Sequence, residues 1–379
     1  MTLLPPIDPT QLPSGIVSRF CKKANGLRMH YLEAGLADPD SPAVLLLHGF
    51  PELAYSWRKV MPELAKVGYR VIAPDQRGYG RTSGWDHTYD CDLSKFNMPN
   101  LVDDLVALLE ALKIPSVNAV VGHDFGSSVA AFCALSRPDV FKSVALMSAP
   151  FTGVSASVGK QVEPDIDLEL AKLSSPRKHY QRYYSTNHAN EDMMNAGQGL
   201  RQFLRDYFFS KSADWAGNSP FPLTGWNAEQ LAKMPTYYVM NANRDMAETA
   251  AEYQADQGAA CECSWLNDFE LDFYEQEYSR TGFQGGLHWY RCRFEPAQQQ
   301  ALQPFAGRTI DVPAVFISGK QDWGIYQVPD AIDQMKEAAC TQMNKTILID
   351  GAGHWVQQEQ PKQVTKDLLD FFEQTKHSR

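Results

Sequence analysis

The chain has 379 residues, and its 35 lysines and arginines against 45 aspartates and glutamates give a formal net charge of −10 at pH 7. Hydrophobic residues make up 44% of the chain, an ordinary value for a folded globular protein. The acidic balance argues against nucleic acid as the main partner, because phosphate binding needs concentrated positive charge. The longest apolar runs, such as residues 43–47, fall far short of the ~20 residues that a membrane-spanning helix needs.

The cysteines and the N-terminal segment favour a cytoplasmic protein. Seven cysteines are scattered along the chain, and Cys261 and Cys263 stand too close together for a zinc-binding pair. Residues 1–15 carry no basic segment followed by an apolar one, so no secretory signal is predicted. We therefore expect reduced thiols in a cytoplasmic protein, with no metal and no other cofactor.

The first 150 residues alternate strand and helix patterns. An Asn-Gly turn at residues 25–26 predicts an antiparallel hairpin. Continuous apolar runs predict strands buried in a parallel sheet, and apolar residues at helical spacing predict a helix over residues 101–112. The strands predicted from these runs are 44–47, 69–73, 116–121 and 140–147.

After Pro150 the pattern changes. Residues 151–305 lose the short apolar strands and gain aromatic, amide and acidic residues in helix-like stretches. Strand patterns return at residues 312–318 and 345–350, and a final helix is predicted over 363–373. The sequence thus predicts an α/β core of residues 1–150 and 306–379, with a mainly helical domain of residues 151–305 inserted between its two segments.

Three predicted strands end in reactive side chains. Asp124 lies in the run Gly-His-Asp-Phe-Gly after one strand, Asp322 follows another, and His354 follows the last. The working residues of parallel α/β sheets lie just past the C-terminal strand ends, where loops converge. A Gly-x-nucleophile-x-Gly run is the form of a strand–turn–helix elbow, and the chain order nucleophile, acid, histidine is one that hydrolases use.

Each of these motifs alone has a plainer interpretation. A Gly-x-Asp-x-Gly run is compatible with an ordinary turn, Asp322 with a helix N-cap, and His354 with a surface histidine. Their combination, each after a buried strand, favours a catalytic triad of Asp124, Asp322 and His354. No Gly-x-Ser-x-Gly run occurs in the chain, which removes the serine alternative.

The motifs together resemble those of the epoxide hydrolase family within the α/β-hydrolase superfamily. The resemblance extends over nearly the whole chain and implies an α/β-hydrolase core with a mostly parallel sheet and an inserted, mainly helical cap domain. It is carried by His48-Gly49-Phe50-Pro51, residues 75–80, the Asp124 elbow, residues 265–291 with Trp289-Tyr290-Arg291, and Gly353-His354-Trp355.

The resemblance implies a two-step reaction that passes through an ester intermediate on the enzyme. Asp124 attacks the epoxide carbon to form an alkyl–enzyme ester, and His354, oriented by Asp322, activates the water that hydrolyses it. The backbone N–H groups of Phe50 and Phe125 are the implied oxyanion hole. A cis peptide bond at Phe50–Pro51 is left open by the sequence.

The resemblance also implies that two cap tyrosines donate hydrogen bonds to the epoxide oxygen. Tyr290 matches one by its Trp-Tyr-Arg motif. The second is assigned to Tyr180, which precedes a glutamine as in the family pattern, with Tyr183 and Tyr184 as neighbouring alternatives. A phenol stays protonated at neutral pH and can therefore donate to a leaving oxygen.

Other positions complete the expected site and mark departures from the family pattern. Trp289, His123 and Trp355 are assigned to substrate binding. His288 stands where asparagine is usual, and we interpret it as a histidine bonded within the cap rather than a group that reacts. Residues 236–262 are predicted to be an insertion in the cap.

Two other functions use the same motifs. A dehalogenase employs the same aspartate and histidine but stabilises a departing halide with indole or amide N–H groups. A non-catalytic ligand receptor of the same fold needs no complete triad. The expected partners are a small epoxide and water, with no nucleic acid and no membrane span, and the sequence leaves a homo-oligomer open.

Overall fold

The computed structural model of the protein describes residues 4–35, 41–155, 165–255 and 263–376. In these ranges the strands are β1 Ile16–Ala24, β2 Leu27–Ala34, β3 Ala43–Leu47, β4 Arg70–Pro74, β5 Ala119–His123, β6 Val144–Met147, β7 Arg177–His179, β8 Val239–Asn241, β9 Ala314–Gly319 and β10 Met343–Ile349. The helices are α1 Met61–Lys66, α2 Met98–Ala111, α3 Phe125–Ser136, α4 Ile166–Ala171, α5 Tyr180–Tyr184, α6 Ala189–Met194, α7 Leu200–Ser210, α8 Ala228–Leu231, α9 Met246–Ala255, α10 Asp268–Thr281, α11 Gln284–Cys292, α12 Pro296–Gln300, α13 Ala331–Gln334, α14 Val356–Glu359 and α15 Pro361–Lys376. Among these helices none combines the length and the apolarity of a membrane span.

An eight-stranded sheet in the order β1-β2-β4-β3-β5-β6-β9-β10 forms the centre of the fold. β1 and β2 form the predicted hairpin around Asn25 and Gly26, and β2 is also antiparallel to β4. In the rest of this sheet, along the order β4-β3-β5-β6-β9-β10, every pair of neighbouring strands is parallel. The prediction of a mostly parallel α/β sheet is therefore confirmed.

The middle strands of this sheet are buried on both faces. Every residue of β3, β5, β6 and β9 is buried, which is why they read as unbroken apolar runs rather than as alternating ones. Helix α3 packs against both β5 and β6. Each fully buried leucine or valine in such a strand stabilises the fold by roughly 1.5–3 kcal/mol.

Two predicted strands begin three or four residues too early, whereas the bounds of the other predicted strands agree within two residues. The strand predicted at 116–121 runs instead from Ala119 to His123, because Gly122 pairs in register with Leu47 and Leu146 rather than breaking the strand. The strand predicted at 140–147 begins only at Val144. The residues before it form a turn after α3, in which the N–H of Val140 donates to the carbonyl of Arg137.

The sheet neighbours β6 and β9 are far apart in the sequence. The described residues between them form α4 to α12 and a small antiparallel sheet of β7 and β8. The predicted insertion at 236–262 contributes β8 and α9, while residues 256–262 lie outside the described ranges.

A sharp turn joins β5 to α3 at Asp124, which has a φ of 55°. This φ is rare for a residue with a side chain and stores on the order of 1–3 kcal/mol of strain. The flanking glycines make the turn sterically feasible. A Cβ on Gly122 would lie 2.0 Å from the carbonyl oxygen of Gly126, and a Cβ on Gly126 would lie 2.5 Å from the carbonyl oxygens of Leu47 and His48.

We predict that Gly122→Ala destabilises the protein by at least roughly 1–3 kcal/mol, because its methyl group meets backbone that cannot move without displacing α3. Gly197→Ala is the matched control, since a Cβ there meets nothing within 4 Å. Urea unfolding of the two variants and the wild type measures the difference. Equal unfolding free energies for the two variants would contradict this account of the turn.

Candidate active site

The predicted triad is assembled at the C-terminal edge of the sheet. The Nε2 atom of His354 lies 3.2 Å from Oδ2 of Asp124, and its Nδ1 lies 3.0 and 3.1 Å from the two carboxylate oxygens of Asp322. Asp124 follows β5, Asp322 follows β9 and His354 follows β10. The parallel strands thus bring together three side chains that are widely separated in the sequence.

Asp322 both orients His354 and caps a turn. Its Oδ1 accepts the N–H of Gly324 at 2.6 Å at the start of the short helical turn 323–326, and its Oδ2 accepts from the Ser318 hydroxyl at 3.2 Å. The N-cap interpretation and the triad interpretation of Asp322 are therefore both consistent with its contacts. These bonds fix the carboxylate in front of the His354 ring.

The charges of the triad are strongly coupled. Burial alone would lower the pKa of His354, but the charge of Asp322 and the hydrogen bonds to both carboxylates outweigh it and raise the pKa to about 9. Burial alone would raise the pKa of Asp124 and of Asp322, but the contacts with His354 hold both below the ordinary value. At neutral pH, His354 therefore carries a proton between two ionised carboxylates.

Asp124 also faces the first predicted oxyanion donor. The N–H of Phe50 donates to its Oδ1 at 2.9 Å, in a loop whose Phe50–Pro51 peptide bond is cis. Phe125 is the first residue of α3 and directly follows Asp124. The Asp124 side chain keeps 16% of its surface exposed, while the His354 and Asp322 side chains are buried. The Asp124 carboxylate is therefore the most exposed part of the triad.

Tyr290 and Tyr180 lie in the region between β6 and β9, and both interact electrostatically with Asp124. Both are almost fully buried, and their ring centroids lie 6.0 Å apart. Burial, followed by the negative charge of Asp124, raises the pKa of both phenols. The Tyr180 hydroxyl oxygen accepts from the Gln181 side-chain amide at 3.1 Å, which leaves its own proton available to another acceptor.

The two alternative tyrosines have their hydroxyl protons engaged elsewhere. Tyr183 donates to Asp192 at 2.8 Å, and Tyr184 donates to the hydroxyl of Tyr207 at 3.1 Å. The charge of Asp124 is not among the main causes of the raised pKa of either phenol. These contacts favour Tyr180 over its two neighbours.

The residues assigned to substrate binding have their polar atoms bonded to the protein. The Trp289 indole N–H donates to the carbonyl of Arg77 at 3.0 Å, and that of Trp355 donates to the carbonyl of Phe208 at 2.8 Å. The two ring nitrogens of His123 lie 2.6 Å from the Glu52 carboxylate and 2.6 Å from the His354 carbonyl. Trp289 still lies edge-on to Phe125, so its ring is close to the elbow.

Glu52 is a site residue that the sequence did not single out. One oxygen of its carboxylate lies 2.6 Å from Nδ1 of His123. The other oxygen of Glu52 accepts from the side-chain amides of Gln357 and Gln358 at 2.9 and 2.8 Å. Glu52 directly follows the His-Gly-Phe-Pro motif, and this adjacency was the only signal that could have drawn attention to it.

The loop that carries His354 is hydrogen-bonded to the residues that follow α7. The His354 N–H donates to the carbonyl of Lys211 at 2.8 Å. The Glu359 carboxylate accepts the N–H groups on both sides of His354, from Gly353 and Trp355, each at 2.9 Å, and also the N–H of Ala213 at 2.8 Å. The backbone of the histidine is thus held from both sides.

His288 is bonded as a neutral ring. Its Nδ1 lies 3.4 Å from the Gln284 amide nitrogen and 3.3 Å from the Arg291 guanidinium, and its Nε2 lies 3.4 Å from the sulfur of Cys91. Burial, and then the charge of Arg291, lowers the pKa of His288 to about 3. Gln284 and Arg291 lie with His288 in α11, whereas Cys91 lies between β4 and α2.

Comparison with known proteins agrees with this geometry. Residues 42–361 match the family model of the alpha/beta hydrolase fold. The chain is 34% identical to epoxide hydrolase A of Mycobacterium tuberculosis over 92% of this chain and 95% of that protein. It is 31% identical to an epoxide hydrolase of Caballeronia sordidicola over 96% of each chain.

Solved structures give the same result. An epoxide hydrolase from an endophytic Streptomyces superposes with a TM-score of 0.78 at 29% identity, over 96% of this chain and 97% of the other. Potato epoxide hydrolase I superposes with a TM-score of 0.70 at 30% identity, over 95% and 99% of the two chains. The chain therefore belongs to the α/β-hydrolase fold family and, within it, to the epoxide hydrolases.

Proposed function

We propose that this enzyme converts an epoxide and water into a vicinal diol through a covalent ester on Asp124. The observation that carries the proposal is the position of the Asp124 carboxylate, which lies 3.2 Å from the His354 ring and whose charge acts on two buried tyrosines. A carboxylate on one side of a strained ether and phenol donors on the other are what ring opening requires.

In the first step an oxygen of Asp124 forms a bond to the ring carbon, and the bond between that carbon and the epoxide oxygen breaks. The electron pair stays on the oxygen, which takes a proton from Tyr290 or Tyr180 and leaves a phenolate. The charge of Asp124 is lost when the ester forms, so one of the causes that raise the pKa of His354 disappears. His354 can then give up its proton, which restores the phenol.

In the second step the neutral His354 removes a proton from water as the water oxygen attacks the carbonyl carbon of the ester. Asp322 stabilises the imidazolium that results. We assign the N–H groups of Phe50 and Phe125 to the oxyanion of this tetrahedral intermediate, a role that the 2.9 Å contact of Phe50 with Asp124 supports. Collapse of the intermediate breaks the bond between the carbonyl carbon and the diol oxygen, which takes the remaining proton of the attacking water, so that the diol is released and the Asp124 carboxylate is restored.

The remaining assignments follow the same contacts. We propose that residues 151–305 act as a cap that supplies both tyrosines, with 236–262 as an insertion in it. We assign His123 to positioning, because both of its ring nitrogens are bonded to the protein, and we limit Trp289 and Trp355 to apolar contact. The unpaired state of Cys21, Cys91, Cys133, Cys263, Cys292 and Cys340 supports a reducing, cytoplasmic compartment.

Halide release is the alternative reaction of the same nucleophile. A departing halide needs N–H donors, but the Trp289 indole N–H is occupied by the Arg77 carbonyl, and Phe125 next to the nucleophile has no side-chain donor. The phenol donors favour an oxygen leaving group. A panel of epoxides and haloalkanes, assayed for diol and for halide, tests the proposal: halide release without diol formation would overturn it.

We predict that a single turnover in ¹⁸O-labelled water leaves the label on the Asp124 carboxylate, because water attacks the ester carbonyl and not the substrate carbon. Mass spectrometry of the peptide that contains Asp124 measures the label. The diol of that first turnover should carry none. Label in this diol would exclude the covalent route.

We predict that Tyr290→Phe and Tyr180→Phe each slow alkylation about 10- to 100-fold, because each removes one donor to the developing oxyanion. Rapid-mixing measurements of ester formation give the rate. Tyr183→Phe is the matched control, since its hydroxyl donates to Asp192, and it should alkylate at close to the wild-type rate. A Tyr183 variant as slow as the Tyr180 variant would reassign the second donor.

We predict that Asp124→Asn lowers the pKa of His354 from its value of about 9, because the substitution removes one of the charges that stabilise the imidazolium. NMR titration of the His354 ring measures the shift. Asp192→Asn is the control, since that carboxylate pairs with the exposed His188 and not with the triad. An unchanged pKa in the Asp124 variant would mean that alkylation does not release the proton of His354.

A further inference from the structure

A buried lysine that the reaction above does not use lies beside the cap tyrosines. Lys211 directly follows α7 and is only 3% exposed. Its ammonium donates to the Tyr207 hydroxyl at 2.8 Å. In the described part of the chain no carboxylate lies within 4.0 Å of it, so its charge has no direct ion-pair partner there.

Four tyrosine rings surround this ammonium. The distances from Nζ to the ring centroids are 4.6 Å for Tyr207, 4.6 Å for Tyr238, 5.3 Å for Tyr180 and 5.7 Å for Tyr237. All four lie within the range of a cation–π contact. One of the four, Tyr180, is a proposed donor to the epoxide oxygen.

Burying a cation without an ion-pair partner costs free energy. Burial lowers the pKa of Lys211 to about 8, although the Asp124 and Asp322 carboxylates act in the opposite direction and raise it. The chain could avoid this cost with any apolar residue of similar size. The positive charge of Lys211 can act during ring opening, because negative charge then moves from Asp124 to the epoxide oxygen and to the phenols of the cap. Both donors lie in surroundings that disfavour a phenolate, since burial and Asp124 raise the pKa of each.

We propose that Lys211 is a positioning residue for ring opening, whose buried charge stabilises the negative charge that develops on Tyr180 and the leaving oxygen. The proposal rests on the function proposed above. Lys211 does not touch the reacting atoms and acts through Tyr180 and Tyr207. Arg293 lowers the pKa of Tyr180, but its side chain is exposed, so solvent screens its charge, whereas the ammonium of Lys211 is buried 5.3 Å from the Tyr180 ring centroid.

The charge of Lys211 should matter in the first step and not in the second. Ester formation moves negative charge toward the cap, whereas the hydrolytic step develops it at the ester carbonyl, where the Phe50 N–H lies. Removing the ammonium should therefore slow alkylation and spare hydrolysis. A merely structural loss would lower both rates together.

The test compares K211M, which removes the charge and keeps the length, with K211R, which keeps the charge. Stopped-flow tryptophan fluorescence with excess styrene oxide resolves alkylation and hydrolysis. We expect K211M to alkylate roughly 10- to 100-fold more slowly, with hydrolysis changed less than about threefold, and K211R to recover most of the loss. K211Q, polar but uncharged, replaces K211M in the comparison if the methionine variant does not fold.

K59M is the matched control. Lys59 is also partly buried, with a pKa lowered to about 8 mainly by burial, but its ammonium donates to the Trp265 carbonyl and lies near Glu270. It should alkylate like the wild type. Wild-type alkylation by K211M, or equal losses in K211M and K211R, would overturn the proposal. If the wild type formed no ester, the proposed function itself would be wrong.

Discussion

The hydrogen-bonded row Asp322–His354–Asp124 is the interaction on which the site depends. It places a buried imidazolium between two carboxylates, 3.0 Å from one and 3.2 Å from the other. Each charge would be costly to bury alone, and each becomes tolerable because the next one is in contact. Asp124 takes part in this balance, so in the proposed mechanism its alkylation would lower the proton affinity of His354.

The sheet supplies the precision that this row needs. Three parallel strands end at one edge, and the strained turn at Asp124 lifts its carboxylate toward the His354 ring. The backbone of His354 is held by Lys211 and Glu359, and the ring by Asp322. The surrounding bonds leave the base little freedom to rotate away.

The sequence predicted those parts of the molecule whose signals are local. The Asn25-Gly26 hairpin, the buried strands and the elbow glycines follow from backbone chemistry that a few adjacent residues determine. The predicted strand 116–121 stopped short of Gly122 and His123, although their neighbours in the sheet hold both residues in register. Pairing between strands has no signal in one strand's own sequence.

The contacts that the sequence could not predict join distant segments. No periodicity or spacing points to the pairing of Glu52 with His123, or to the tyrosine rings around Lys211. The choice among Tyr180, Tyr183 and Tyr184 likewise depends on the partner of each hydroxyl, which only three-dimensional contacts supply. Side chains of one type, close in sequence, thus acquire different chemistry from their surroundings.

The bonds between the end of α7 and the His354 loop also join two distant segments of the chain. Lys211 and Ala213 lie in the region between β6 and β9, yet one accepts the N–H of His354 and the other donates to Glu359. These segments cannot separate without releasing the backbone that carries the His354 ring. A displacement of the end of α7 would therefore also move this ring relative to Asp124 and Asp322.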